Sequence, residues 1–153
     1  MVADAAGLPD GARVLDVGTG PGRIPRALAV ERPAWRIDAV DLEPNMVEFA
    51  RRQDPAGRVT FTVGDAAALP FPDATFDLIV SSLSQHHWAD MPAAIGDLRR
   101  VLRPGGHLWI YDMRWALGGA RRVAERNFSR VRREPVPTTR WPIPIFARLS
   151  AMV

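Results

Sequence analysis

Val14-Leu15-Asp16-Val17-Gly18-Thr19-Gly20-Pro21-Gly22 runs from a short apolar segment into three closely spaced glycines, and Arg23–Glu31 beyond it has helical spacing. A strand (Arg13–Val17), a glycine turn and a helix in that order open a βαβ unit. Glycines at 18, 20 and 22 let the backbone approach a ligand closely and aim the next helix N-terminus at it. A tight turn with no ligand would use the same glycines. The spacing is GxGxG. Dinucleotide-binding turns use GxGxxG, whose third glycine would fall on Arg23.

Outward from this turn, short apolar runs alternate with helical patterns, as in a parallel sheet. The first helix should bury Ile24, Ala27 and Leu28 and end before Pro33. Arg36–Asp41 reads as a second strand, and Pro44–Gln53 as a helix with Met46, Val47 and Ala50 inward. Val59–Val63 is a third strand, followed by a short turn or helix over Ala66–Pro72. Phe76–Ser81 is nearly all apolar, which predicts a central strand covered on both faces. Asp90 can cap a helix through Ile95, Leu98, Val101 and Leu102, with Pro92 in its first turn and Arg103-Pro104-Gly105-Gly106 as its stop. His107–Asp112 is a fifth strand and Gly118–Phe128 a helix. Extended segments follow at Arg130–Val136 and Ile143–Leu149, the second weakened by Pro142 and Pro144.

Composition bounds the function. The chain has 153 residues, 47% hydrophobic and 24% charged, which suits one globular domain over residues 1–153 rather than disorder or coiled coil. No apolar run approaches the roughly 20 residues of a membrane span, and no start resembles a signal peptide, so a cytoplasmic protein is expected. Zero cysteines exclude disulfides, thiolate metal sites and a cysteine nucleophile. All 20 basic residues are arginine, so lysine chemistry is excluded as well. The net charge of +3 is unevenly spread: residues 1–113 carry net −4, and residues 114–153 net +7.

Candidate ligand-binding residues gather at strand ends. Ligands of open α/β sheets bind beyond the carboxyl ends of the strands. Asp16 and Gly18, Asp41, Gly64-Asp65 and Ser81-Ser82 all fall there. Asp41 closes the second strand 19 residues after Gly22, where a carboxylate can accept both hydroxyls of a ribose. Each acid taken alone is also an ordinary cap or turn former.

With these residues assembled, the chain resembles class I S-adenosylmethionine-dependent methyltransferases over about residues 13–149. VLDVGTGPG is similar to their first motif, which places Asp16, Gly18, Thr19, Gly20 and Gly22 at the cofactor. DAVDLEPNM is similar to the second, with Asp41 as the ribose acid, Leu42 beside it and Met46 packing on adenine. VTFTVGDAAALPFPDATFDLIVSS resembles the third and fourth segments. By that resemblance Asp65 accepts from the adenine amine, the Ala66 amide bonds the ring, and Ser81 and Ser82 meet the cofactor. RRVLRPGGHLWIYD resembles the family's closing turn and strand, and LPFPDATFD with SLSQHHW resembles the ubiquinone/menaquinone-type, small-molecule branch. The resemblance implies a Rossmann-like α/β doubly wound sheet of about seven strands in order 3-2-1-4-5-7-6. It also implies S-adenosyl-L-methionine as cofactor and a small-molecule methyl acceptor. Only about 13 residues precede the first strand, so the N-terminal lid helices usual in the family are expected to be missing.

Methyl transfer from a sulfonium is an in-line displacement that requires no metal, and positioning in a dry site supplies most of the acceleration. His86 and His87 follow the fourth strand, where either could deprotonate a phenol or an enol carbon; equally, they could brace the loop. Trp88 beside them is read as packing. The Asn/Asp-Pro-Pro-aromatic loop of base- and amide-nitrogen methyltransferases is replaced by Ser81-Ser82-Leu83-Ser84. Three scattered histidines make no metal site.

Arg121, Arg122, Arg126, Arg130, Arg132 and Arg133 form a basic stretch, and Arg122, Arg126, Arg130 and Arg133 would share a helix face if the helix ran that far. A solvated surface or a subunit contact in a homo-oligomer fits it better than nucleic acid, since interleaved aromatics are few. The rival from another class is a non-catalytic binding or scaffold subunit that needs a partner chain. A nicotinamide-dependent enzyme is disfavoured by the glycine spacing.

Overall fold

The computed structural model describes residues 7–136 and 145–153. Strand β1 (Arg13–Val17) enters the glycine turn and helix α1 (Arg23–Glu31), then β2 (Arg36–Asp41), α2 (Pro44–Arg52) and β3 (Val59–Val63). The chain then returns to β4 (Phe76–Ser82), a 3-10 turn at Gln85–His87, α3 (Met91–Val101), β5 (Leu102–Met113), α4 (Leu117–Asn127), β6 (Ser129–Val136) and β7 (Phe146–Met152). One sheet holds all seven strands in the order β3-β2-β1-β4-β5-β7-β6. The first five are parallel, and β7 runs antiparallel to both β5 and β6. The expected order is therefore the observed one.

Side-chain alternation divides each central strand between two cores. Leu15 and Val17 of β1 and Ile79 of β4 pack with Ile95 and Leu98 of α3 and Leu117 of α4. Val14, Leu78 and Val80 face the other way, onto Leu28 of α1 and Val47 and Ala50 of α2. Both faces are thus covered, which is why VLDV and FDLIV are nearly continuous apolar runs rather than alternating ones. Asp90 caps α3 by accepting from the Ala93 amide at 2.9 Å, with Pro92 in the first turn.

Several local expectations are corrected. In α1 the buried residues are Pro25, Leu28 and Ala29, whereas Ala27 is exposed and Ile24 half-buried. In α2 Val47 and Ala50 point inward, but Met46 is 43% exposed, one position off the buried stripe. Helix α3 ends at Val101, so Leu102 and Arg103-Pro104-Gly105-Gly106 belong to β5, which pairs Leu102 with Phe76 across an irregularity. Gly106 permits this: a Cβ there would lie 2.9 Å from the Arg103 carbonyl oxygen and 3.2 Å from that of Phe76. Helix α4 stops at Asn127, so Arg130, Arg132 and Arg133 lie on β6 and share no helix face with Arg122 and Arg126. The last strand starts at Phe146 and runs to Met152; Pro142, Ile143 and Pro144 lie outside the described residues. Among the described residues no helix is long and apolar enough to cross a membrane.

Candidate functional site

The chain reverses its direction of growth between β1 and β4, and the carboxyl ends of the strands around that switch frame a cavity of about 460 Å³. Its walls come from Val17 and Gly18 after β1, Asp41, Leu42 and Glu43 after β2, and Gly64, Asp65 and Ala66 after β3. The loop after β4 adds Ser84, His87, Trp88 and Ala89.

The glycine loop is fixed from both sides. The Gly18 and Thr19 amides donate to the Val40 carbonyl at 2.9 and 3.0 Å, which ties the loop to β2. The Gly20 amide donates to Asp41 Oδ2 at 2.7 Å, and the Glu43 amide donates to Asp41 Oδ1 at 3.0 Å. Each Asp41 oxygen therefore carries one backbone bond and keeps a second lone pair. The three glycines differ in purpose. Gly20 sits at φ +51° with nothing within 4 Å of a virtual Cβ, leaving an open approach. Gly22 sits at φ +72°, and a Cβ there would strike the Phe61 ring at 2.8 Å and Ala50 at 3.0 Å, so its bareness serves packing. At Gly18 a Cβ would overlap Ser84, which presses down from the loop after β4. Ser84 Oγ is also within 2.7 Å of Ser81 Oγ and donates to the Val17 carbonyl at 3.1 Å.

Asp16 lies beneath this loop, 1% exposed, and accepts from the Thr19 hydroxyl at 2.6 Å. Burial pushes its carboxyl up to about 7; the Thr19 bond opposes the rise, and the nearby Asp41 charge adds to it. Asp65 follows β3 by two residues and accepts from the Ala67 amide at 2.9 Å. The segment after it is stapled to α3 by Arg100, which donates to Asp97, Asp73 and the Phe71 and Leu69 carbonyls. Burial works to raise the Asp97 carboxyl, but the bonds from Arg100 and from the Leu69 amide outweigh it and hold Asp97 below its usual range. The Asp97 and Asp73 carboxylates in turn raise the Arg100 guanidinium.

Of the residues singled out from sequence, Gly18, Asp41, Leu42, Gly64, Asp65, Ala66 and His87 line the cavity, and so does Trp88, which also packs against the core as expected. Thr19 and Asp16 bond each other below it, and Gly20 meets it through Asp41. Gly22 packs against Phe61. Ser81 is fully buried and engaged with Ser84, and Ser82 is half-buried at the end of β4. Met46 and Leu42 are exposed apolar side chains on the β2–α2 side, 43% and 62% accessible. His86 turns to Asp112, with Nδ1 2.9 Å from Oδ2. Sequence reasoning passed over Ser84 and Asp112. The signal for Asp112 was present, because it ends HLWIYD as Asp41 ends RIDAVD. Among the described residues no cluster could hold a metal ion.

Fold and cavity together define a doubly wound α/β protein whose cavity opens at the β1/β4 switch. Within that class, residues 15–110 match the methyltransferase domain family, and the chain belongs to it. The demethylmenaquinone methyltransferase of Thermus thermophilus is 38% identical over 102 residues, covering 65% of this chain and 46% of that protein. The malonyl-[acyl-carrier protein] O-methyltransferase of Serratia marcescens is 41% identical over 96 residues, covering 63% and 36%. The chain thus spans less than half the length of these curated relatives. A SAM-dependent methyltransferase from Aquifex aeolicus superposes with TM-score 0.83 at 24% identity, over 99% of this chain and 87% of that one, a likeness of fold.

Proposed function

We propose that this chain binds S-adenosyl-L-methionine across the ends of β1 to β4 and supports methyl transfer to a small organic acceptor. The observation that carries the reading is the cavity itself. About 460 Å³ falls within the roughly 300–1,000 Å³ range of small-molecule sites, and polar groups converge on it from four successive strand ends. The residues suit the ligand. The free lone pairs of Asp41 can take the ribose hydroxyls, and the open face of Gly20 admits close approach of the ligand to backbone. Leu42 and Met46 leave exposed apolar surface where a base plane would lie. Asp65 has an oxygen that can take an exocyclic amine, and the amide of Ala66, which lines the same cavity, can serve a ring nitrogen.

When bound, the sulfonium supplies an electrophilic methyl group. The protein's part is to hold and orient: the glycine loop and Ser84 form the floor, while His87, Trp88 and Ala89 form the acceptor-side wall and displace water. The quinone and acyl-carrier names of the curated relatives support a small organic acceptor for this chain too. Calorimetry with S-adenosylmethionine and S-adenosylhomocysteine is the test, and the reading fails if neither binds. Asp41→Ala should weaken binding by about 1.5–3 kcal/mol, the worth of a charged hydrogen bond, while circular dichroism still reports a folded chain. Unchanged affinity removes Asp41 from the ribose role.

A further inference from the structure

A second cavity, of about 400 Å³, opens at the amino ends of β1, β2 and β3, the far edge of the sheet from the cavity described above. Arg13, Trp35, Arg36, Asp38, Arg58 and Thr60 line it, and the two cavities share no residue. Parallel register sets Arg13 beside Arg36 and Asp38 beside Thr60, and register partners project from the same face of a sheet. Two guanidinium groups side by side repel each other. Arg58, one residue ahead of β3, brings a third to the same hollow.

One carboxylate answers them. Asp38, only 7% exposed, accepts from Arg13 Nε at 3.0 Å. The neighbouring Asp77 is taken elsewhere, since both its oxygens accept from Arg103 Nη1, at 2.7 and 2.8 Å, and one also accepts from the Arg13 amide. Three guanidinium groups against one carboxylate leave the hollow two positive charges in excess.

The donors are set in place and unspent. The Arg13 guanidinium is pinned by Asp38 and lies over the Phe76 ring, 5.2 Å from its centroid. Its Nη nitrogens have no hydrogen-bond partner among the described residues, and the exposed Arg36 and Arg58 side chains have none either. Thr60 adds an exposed hydroxyl. Trp35, whose indole N–H is spent on the Pro9 carbonyl, adds an apolar wall. Guanidinium forks match phosphoryl oxygens two at a time. A phosphate monoester carries about −1.5 to −2 charges at pH 7, which balances the excess. The volume also leaves room for a small organic body beyond the anion.

We propose that this cavity is a second binding site, for a small molecule bearing a phosphoryl dianion, with Arg13, Arg36 and Arg58 as its cationic clamp and Thr60 as a hydroxyl donor. Strands of this length hold the two cavities roughly 15–20 Å apart, so the ligand takes no part in chemistry at the first. The inference therefore stands independently of the methyl-transfer reading.

Calorimetry of the whole chain tests it, with inorganic phosphate and with glucose 6-phosphate as probes in roughly 0.15 M chloride. At least one probe should saturate a single site per chain with a Kd below about 1 mM. Arg36→Gln and Arg58→Gln should each weaken that binding at least about tenfold while circular dichroism still reports a folded chain. Arg122→Gln removes the same charge from α4, outside the cavity, and should leave affinity within about twofold. Tighter binding of glucose 6-phosphate names an ester as the ligand, and equal or tighter binding of inorganic phosphate names the free ion; either supports the site. No saturable binding of either probe, equal weakening by Arg122→Gln, or binding that survives both cavity variants overturns the proposal. A single-stranded oligonucleotide that binds more than about tenfold tighter than both probes, and is released by the same two variants, overturns it in favour of a nucleic-acid backbone.

Discussion

Replacing Gly22 and Gly20 separately by alanine asks which glycine of the turn serves the fold and which serves the ligand. Both have positive φ, +72° and +51°, so an L-residue at either costs about 1–2 kcal/mol of backbone strain. Only Gly22 adds a steric cost. Its new Cβ would come within 2.8 and 2.9 Å of two Phe61 ring carbons and 3.0 Å of the Ala50 Cβ, and both neighbours are buried. Forcing a methyl group into such packing costs a further ~1–3 kcal/mol. Gly22→Ala should therefore lose about 2–5 kcal/mol, a large share of a typical domain's 5–15 kcal/mol. Gly20→Ala, with nothing within 4 Å, should lose only the strain. Urea unfolding of both variants measures the difference directly, and each kcal/mol should lower the Tm by about 2–4 °C. On the proposed reading the ligand approaches the open face of Gly20, so calorimetry with S-adenosylhomocysteine should show the reverse order, the greater loss of affinity falling on Gly20→Ala. Equal stability of the two variants would refute the assignment of Gly22 to packing.

Asp16 makes stability depend on pH in the less common direction for a carboxylate. Its folded-state value of about 7 lies above the ordinary 3.8, so the folded chain holds the extra proton between those limits. Its contribution is complete below about pH 4 and is lost as pH rises to about 7, about 4 kcal/mol in all. Asp16→Asn should flatten that part of a urea-unfolding series against pH; an unchanged slope would dismiss the buried carboxyl as its source. Asp97 runs the other way, because its lowered value gives stability that is present above the usual carboxylate range and lost on acidification. Asp97→Ala frees Arg100 and the Leu69 amide and should cost about 1.5–3 kcal/mol. Hydrogen exchange should show new opening between Leu69 and Asp73, and protection that is unaltered would remove the staple from the argument.

The course of the sheet was legible because its central strands carry a strong pattern. A run such as FDLIV, short and nearly all apolar, reads as a strand buried on both faces, and the glycine turn after VLDV leads into a segment of helical spacing. The strand order came from resemblance to known methyltransferases, since apolar patterning does not say which strands are neighbours. Finer errors have local causes. Helical spacing alone puts Met46 and Ala27 inward because it tolerates a shift of one residue, and only the burial of Val47, Ala50 and Leu28 fixes the rotation. Arg103-Pro104-Gly105-Gly106 reads as a stop, yet pairing of Leu102 with Phe76 draws the segment into β5. In the candidate site, acids at strand ends were visible while their partners were not. Nothing in SLSQHHW shows that His86 turns to Asp112, 26 residues away, because that contact depends on β4 and β5 being adjacent.

Ser84 grips Ser81 and the Val17 carbonyl while lying over Gly18. The strip of chain bearing the two histidines is therefore fastened to the floor on which the nucleoside would rest. Whatever lifts that floor must carry the loop after β4 along, so on the proposed reading the two reactants of a transfer would be brought into line by one hydroxyl acting as a rivet.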